Sequence, residues 1–209
     1  MTAEELFAAA MAEMPLVAVL RGVRPEEIEA VGAALVAAGI RIIEVPLNSP
    51  EAYESIARLA GLAGDDVLVG AGTVLDVEAV GRVAAAGGRL VVSPHCDPAV
   101  IEATVEAGMV SLPGFFTPTE GFAALNAGAH GLKFFPAEAG SPAVLKAMRA
   151  VLPRGVPVLA VGGMTVEGLA PWRAAGADGF GLGASLFSPG MTAEAVGEIA
   201  LRFVGALRD

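Results

Sequence analysis

The chain has 209 residues, 55% of them hydrophobic and only 5% aromatic, with 27 glycines and a formal net charge of −10. That acidity argues against non-specific nucleic-acid binding, and no uninterrupted apolar run approaches the roughly 18–20 residues of a membrane span. Cys96 is the only cysteine, which excludes an internal disulfide and suits a reducing compartment. Residues 1–14 carry Glu4, Glu5 and Glu13 but no Lys or Arg, a poor start for a signal peptide, so the expected location is the cytoplasm.

In chain order, a helix is predicted first, over residues 3–13. Apolar runs then recur at Leu16–Arg21, Ile40–Pro46, Val67–Thr73, Leu90–Pro94, Val110–Gly114, Gly131–Phe135, Val156–Val161 and Phe180–Gly183. The segments between them have helical length and two kinds of punctuation. Ala-Gly pairs at 38–39, 63–64, 86–87, 107–108, 127–128 and 175–176 predict helix stops, since Gly suits the left-handed position that ends a helix. Ser49-Pro50, Asp97-Pro98, Thr117-Pro118 and Ser141-Pro142 predict helix starts, with Arg24-Pro25 a weaker example. Thr117 and Glu120 also have the spacing of a capping box.

Strands alternating with helices require a parallel sheet, and eight such units predict an α/β fold: a (β/α)8 TIM barrel with an extra N-terminal helix, one domain over residues 1–209. A doubly wound open sheet is the alternative. In barrels the chemistry sits at the C-terminal strand ends, and here those ends are polar for so apolar a chain. Predicted strand 1 ends in Arg21, strand 2 carries Glu44, strand 3 ends at Thr73 and strand 6 holds Lys133. Side chains alternate in and out along a strand. If Val17 and Val19 face inward, so does Arg21; Ile42 shares a face with Glu44, and Val69 and Ala71 with Thr73. Phe135 then joins Lys133 inside, while Leu132 and Phe134 pack against helices.

Lys133 is one of only two lysines and sits in the apolar run Gly-Leu-Lys-Phe-Phe-Pro. Burial disfavours an ammonium and frees the amine to attack a carbonyl, so Lys133 is the expected nucleophile. A structural strand lysine is the alternative. Glu44 is the expected proton-transfer partner; a structural ion pair with Arg21 or Lys133 is the alternative, and one residue can serve both ends. Arg21 and Thr73 suit a substrate carboxylate. Gly162-Gly163 and Gly183-Ala184-Ser185 close predicted strands 7 and 8 and are followed by helix-starting sequence, which predicts a phosphate seat made of backbone amides. Lys146 reads as a surface residue, Trp172 as packing and His130 as a capping or packing residue at a helix–strand join. Two histidines cannot build a multi-histidine metal site, so neither a metal nor another cofactor is expected.

Several stretches together, Arg21-Gly22, Glu44-Val-Pro-Leu-Asn-Ser-Pro50, Gly70-Ala-Gly-Thr-Val-Leu75, Ser93-Pro94, Pro113-Gly114, Gly131-Leu-Lys-Phe-Phe-Pro136 and Ala160-Val-Gly-Gly163, resemble the class I 2-keto-3-deoxy-6-phosphogluconate and -galactonate aldolases. The resemblance covers nearly the whole chain in order. It implies a trimeric (β/α)8 barrel without a metal, acting on a phosphorylated keto-sugar acid and releasing pyruvate and glyceraldehyde 3-phosphate. It places the Schiff-base lysine at Lys133, the acid/base glutamate at Glu44, carboxylate contacts at Arg21 and Thr73, and phosphate contacts at Gly162, Gly163 and Gly183. Pro94 and Phe135 would wall the pyruvate portion. The phosphogluconate branch usually reads Leu-Arg-Thr after the glutamate strand and Thr-Gly-Gly after strand 7. Leu47-Asn48-Ser49 and Val161-Gly162-Gly163 look instead like the phosphogalactonate branch, which implies that Asn48 and Val161 lie near the C4 hydroxyl that separates the epimers. Ala184 departs from the family's usual Ser, so Ser185 is the candidate replacement.

Overall fold

The computed structural model describes residues 1–208, in the order α1 (Ala3–Glu13), β1 (Leu16–Val19), α2 (Ile28–Ala38), β2 (Ile42–Pro46), α3 (Ala52–Leu62), β3 (Leu68–Gly72), α4 (Val77–Ala85), β4 (Leu90–Val92), α5 (Pro98–Glu106) and β5 (Val110–Leu112). There follow β6 (Gly114–Phe115), α6 (Pro118–Asn126), β7 (Leu132–Phe134), a 3₁₀ turn (Ala137–Ala139), α7 (Pro142–Arg149), β8 (Val158–Val161), α8 (Leu169–Ala174), β9 (Gly179–Leu182) and α9 (Ala193–Arg208).

Every strand pairing is parallel, in the order β5-β4-β3-β2-β1-β9-β8-β7-β6. The two ends of that order, β5 and β6, are one chain passage interrupted at Pro113. Proline has no N–H to give a ladder, so the predicted fifth strand splits there and the count becomes nine. The Pro113 carbonyl still accepts the Lys133 N–H at 2.9 Å, and the Leu112 carbonyl accepts from Ser93 at 3.2 Å. The passage thus joins β4 to β7 and the sheet closes into a barrel; the open-sheet alternative is excluded.

Most of the predicted punctuation operates. Thr117 and Glu120 make both capping-box bonds, and Asp97 and Ser141 accept from Ala99 and Val144. Gly39, Gly87, Gly108, Gly128 and Gly176 are left-handed where helices stop. Three assignments fail. Arg24-Pro25 does not open α2, which starts at Ile28 after an uncapped Glu27. Ser49-Pro50 does not open α3, which starts at Ala52 after a left-handed Glu51, and the Ser49 hydroxyl accepts from the Gly22 N–H instead. Gly64 is not left-handed, since α3 ends in an extended Ala63.

Burial separates an inner and an outer layer. Inside the barrel, Val17, Ile42, Leu68, Leu90, Val92, Val110, Leu112 and Leu159 pack together, and Ala3, Leu6, Phe7 and Ala10 of α1 join them as a plug at the N-terminal end. Outside it, alternate residues such as Ala18, Ile43, Val45, Leu132 and Phe134 pack against the helices. Phe134 stacks on Phe116 at 5.2 Å and meets Trp172 at 5.8 Å, the packing role expected for both.

Candidate active site

Register places the reactive side chains. Val19 pairs with Glu44 and Val17 with Ile42, so β1 and β2 turn Val17, Val19, Ile42 and Glu44 inward. Lys133 lies opposite Gly114 on one side and Leu159 on the other, and Lys133 and Glu44 line the same small gap with Val17, Val19, Val92, Leu112, Leu159, Val161 and Gly181. The expected parity of strand 3 is wrong. Val69 and Ala71 belong to the outer layer, while Leu68 faces inward, and with it Gly70 and Gly72. The reason is volume: a side chain at Gly72 would fall on the Glu44 carboxylate, so the inward position beside Glu44 has room only for hydrogen.

Glu44 is 1% and Lys133 7% exposed. Burial pushes the Glu44 carboxyl up to about 7, against the pull of the Lys133 and Arg21 charges. Burial lowers the Lys133 amine, with Glu44 acting in the opposite sense and Arg21 in the same one. Glu44 Oε2 has no hydrogen-bond partner, and none of the ion pairs among the described residues involves either group. The Lys133 Nζ lies 4.5 Å from the centre of the Phe135 ring. A buried acid without a partner next to a buried amine is poor structural engineering and good proton-transfer chemistry.

The gap opens into a cleft of about 480 Å³ at the C-terminal face. Its walls include Arg21, Lys133, Phe135, Val161, Gly162, Gly163, Gly183 and Ser185, eight of the residues singled out from sequence. Gly162 and Gly163 have φ of 110° and 66°, a backbone conformation in which successive N–H groups can converge on an anion. The expected helix starts beside them are absent: α8 begins only at Leu169, and Gly183 opens a single turn in which its carbonyl accepts from Leu186 and Phe187. A phosphate seat here would rest on loop amides and hydroxyls rather than on a helix end.

Glu44 lines the gap beneath that cleft, and three expected residues line neither. Asn48 and Thr73 line an adjoining surface pocket of about 340 Å³ with Tyr53 and Arg82, and Asn48 reaches back to accept from Arg21 Nη1 at 2.7 Å. Thr73 has a φ of 55°, costly for a β-branched residue and of the kind concentrated at functional sites. Pro94 is half-buried on the loop after β4, its carbonyl against the position a side chain would take at Gly114. Sequence reasoning missed Glu138, Thr165 and Ser188, which line the cleft from loops after β7, β8 and β9. Their common signal, position just past a strand's C-terminal end, was available, but loop side chains carry no period that says where they point. His130 Nδ1 accepts the Ser111 N–H of β5 at 3.1 Å, a bond to a strand rather than a helix cap, and Lys146 is exposed. Among the described residues no three His, Cys, Asp or Glu side chains cluster as a metal site.

A parallel barrel with a buried amine and a buried acid at its C-terminal mouth defines an enzyme of carbonyl chemistry, in the aldolase manner. Residues 7–200 match the KDPG and KHG aldolase family model, and the chain belongs to that family, as the resemblance implied. It is 45% identical over 197 residues to the 2-dehydro-3-deoxy-6-phosphogalactonate aldolase of Escherichia coli (strain K12), covering 94% of this chain and 96% of that one. The solved native KDPGal structure superposes with a TM-score of 0.92 at 45% identity, over 94% of this chain and 95% of that one. The KDPG aldolase of Legionella pneumophila, solved with pyruvate captured as a covalent carbinolamine, superposes with a TM-score of 0.85 at 27% identity, over 95% and 98% of the two chains.

Proposed function

We propose that this aldolase cleaves 2-dehydro-3-deoxy-6-phospho-D-galactonate to pyruvate and D-glyceraldehyde 3-phosphate through a Schiff base on Lys133. The carrying observation is the buried, deprotonation-prone Lys133 amine sharing one gap with an unpartnered Glu44. The free amine adds to the C2 ketone, and the carbinolamine loses water to give an iminium. Glu44, poised near neutrality, takes the C4 hydroxyl proton. The C3–C4 bond breaks, its electron pair is drawn to the iminium nitrogen, and the aldehyde departs. The enamine left behind is protonated at C3 and hydrolysed, which releases pyruvate and restores the amine.

In this reading Arg21 and Thr73 hold the carboxylate, Phe135 and Pro94 wall the pyruvate end, and Gly162, Gly163, Gly183 and Ser185 seat the phosphate. Val161, apolar at the cleft wall where the phosphogluconate branch carries Thr, supports the galactonate epimer, as does the Escherichia coli relative's name. The family resemblance supports a homotrimer. No helix of the described residues is long and apolar enough to cross a membrane, and we place the enzyme in the cytoplasm.

Borohydride with pyruvate tests the core of the proposal. A stable adduct on Lys133, lost in Lys133→Met, is expected; a folded protein that gives no adduct at any pH overturns it. Comparing kcat/KM on the two epimers tests the substrate, and a strong gluconate preference would overturn that part. Sedimentation showing a monomer at working concentration would remove the trimer.

A further inference from the structure

The loops after β1 and β2 are fastened to each other at two points. Arg21 Nη1 donates to Asn48 Oδ1 at 2.7 Å, and the Gly22 N–H donates to Ser49 Oγ at 2.9 Å. Ser49 is buried, so its hydroxyl is a fixed acceptor. From the other side the loop after β9 backs the turn: Gly22 has a φ of 83°, and a Cβ there would stand 2.7 Å from Pro189 Cγ. The backbone under Arg21 is held from both sides, and its side chain is then aimed by one amide.

The chemistry of that amide matters. None of the ion pairs among the described residues involves Arg21, and its side-chain partner is an uncharged oxygen. An amide oxygen orients a guanidinium without cancelling its charge, and the charge is felt across the mouth, favouring the deprotonated forms of both Glu44 and Lys133. An arginine free in solvent loses much rotamer freedom when it grips a ligand; one already held loses less. Asn48 itself lines the adjoining pocket and not the cleft walls that carry Lys133, Val161 and the glycines.

We propose that Asn48 is a positioning residue that holds the Arg21 guanidinium, with its charge intact, for the carboxylate of the 2-keto acid, and that its contribution is to the pyruvate half of the substrate rather than to the sugar hydroxyls. This rests on the reading of Arg21 as the carboxylate ligand, and it revises the expectation that Asn48 reads the C4 configuration.

Pyruvate is the discriminating probe, because it has no C4. The rate of borohydride-trapped adduct on Lys133 is measured against pyruvate concentration for the wild type, Asn48→Ala, Arg21→Ala and the double variant, with thermal unfolding as a check on folding. Asn48→Ala should raise the half-saturating pyruvate about five- to twentyfold while leaving the maximal trapping rate within about threefold. Arg21→Ala should raise it further, and the double variant should match Arg21→Ala, since Asn48 then has nothing to hold. Asn48→Asp keeps an acceptor but pairs with and cancels the guanidinium, so it should do no better than Asn48→Ala. If Asn48→Ala leaves pyruvate saturation unchanged while Arg21→Ala weakens it, the positioning role falls and the Arg21 reading stands. If Arg21→Ala is itself without effect on pyruvate, both fall. An Asn48→Asp variant as good as the wild type overturns the uncancelled charge.

Discussion

The two ends of the barrel interior are built on the same strands and are opposite in chemistry. At the N-terminal end Ile42, Leu68, Leu90 and Val110 meet Leu6 and Phe7 of α1, apolar against apolar. Two residues further along β2, Glu44 takes the place that Ile42 holds below, and Lys133 enters from β7. The inward position beside Glu44 shrinks to Gly72, which makes volume for the carboxylate, and Gly181 lines the gap with no side chain of its own, while Gly70 lets the Leu90 backbone come close. One end is filled for stability. The other carries two titratable groups whose burial opposes folding at neutral pH, the arrangement on which the proposed mechanism rests.

The sharpest way to break the comparison is at Glu44. Glu44→Gln keeps the shape and should lower kcat/KM by about 10²- to 10⁴-fold, read by coupled assay of pyruvate release, with borohydride trapping of pyruvate much less affected. At the sealed end the effect should reverse in kind. Leu6→Ala should cost about 2–5 kcal/mol in denaturant unfolding while the folded fraction keeps its kcat/KM.

The stability of the open end should depend on pH in a defined direction. The Glu44 carboxyl goes from an ordinary 4.5 when unfolded to about 7 when folded. Between those values the folded chain holds a proton that the unfolded chain has lost, so stability falls as pH rises through the window and the loss is complete above it. Glu44→Gln removes this term, so its unfolding free energy should gain on the wild type by about 3 kcal/mol between about pH 4 and about pH 8. Lys133→Met should show the complementary trend, gaining on the wild type as pH falls below the unfolded amine's 10.5. The smallest effect is expected at the rim. The Glu138 carboxylate stands near the Gly162-Gly163 backbone, against the side on which either residue would carry a Cβ. Glu138→Gln should therefore lower KM for the phosphorylated substrate about two- to fivefold at low ionic strength and leave pyruvate trapping unchanged.

Much of this chemistry is legible in the order of the residues. Lys133 stands out because a lysine inside an apolar strand is costly without a use, and Glu44 because its parity with Ile42 places it in the same interior. Both arguments are local, resting on period-two alternation and the cost of burying charge, and register sets both side chains where those arguments put them. The strand 3 parity is not legible, because Leu-Val-Gly-Ala-Gly offers small residues to both faces. The same holds for Asn48: its neighbours in sequence say nothing of a partner 27 residues away.

By itself, then, the sequence determined the alternation of strand and helix, the caps and stops, the family, and the rare polar residues that could carry chemistry. Only the tertiary structure decided that β5 and β6 close the barrel across Pro113, that Gly72 makes room for Glu44, and that Asn48 holds Arg21. Those three are contacts between residues far apart in the chain. Periodicity and capping act within a few residues, whereas volume and hydrogen-bond partnership across a barrel mouth exist only once the strands have found their register.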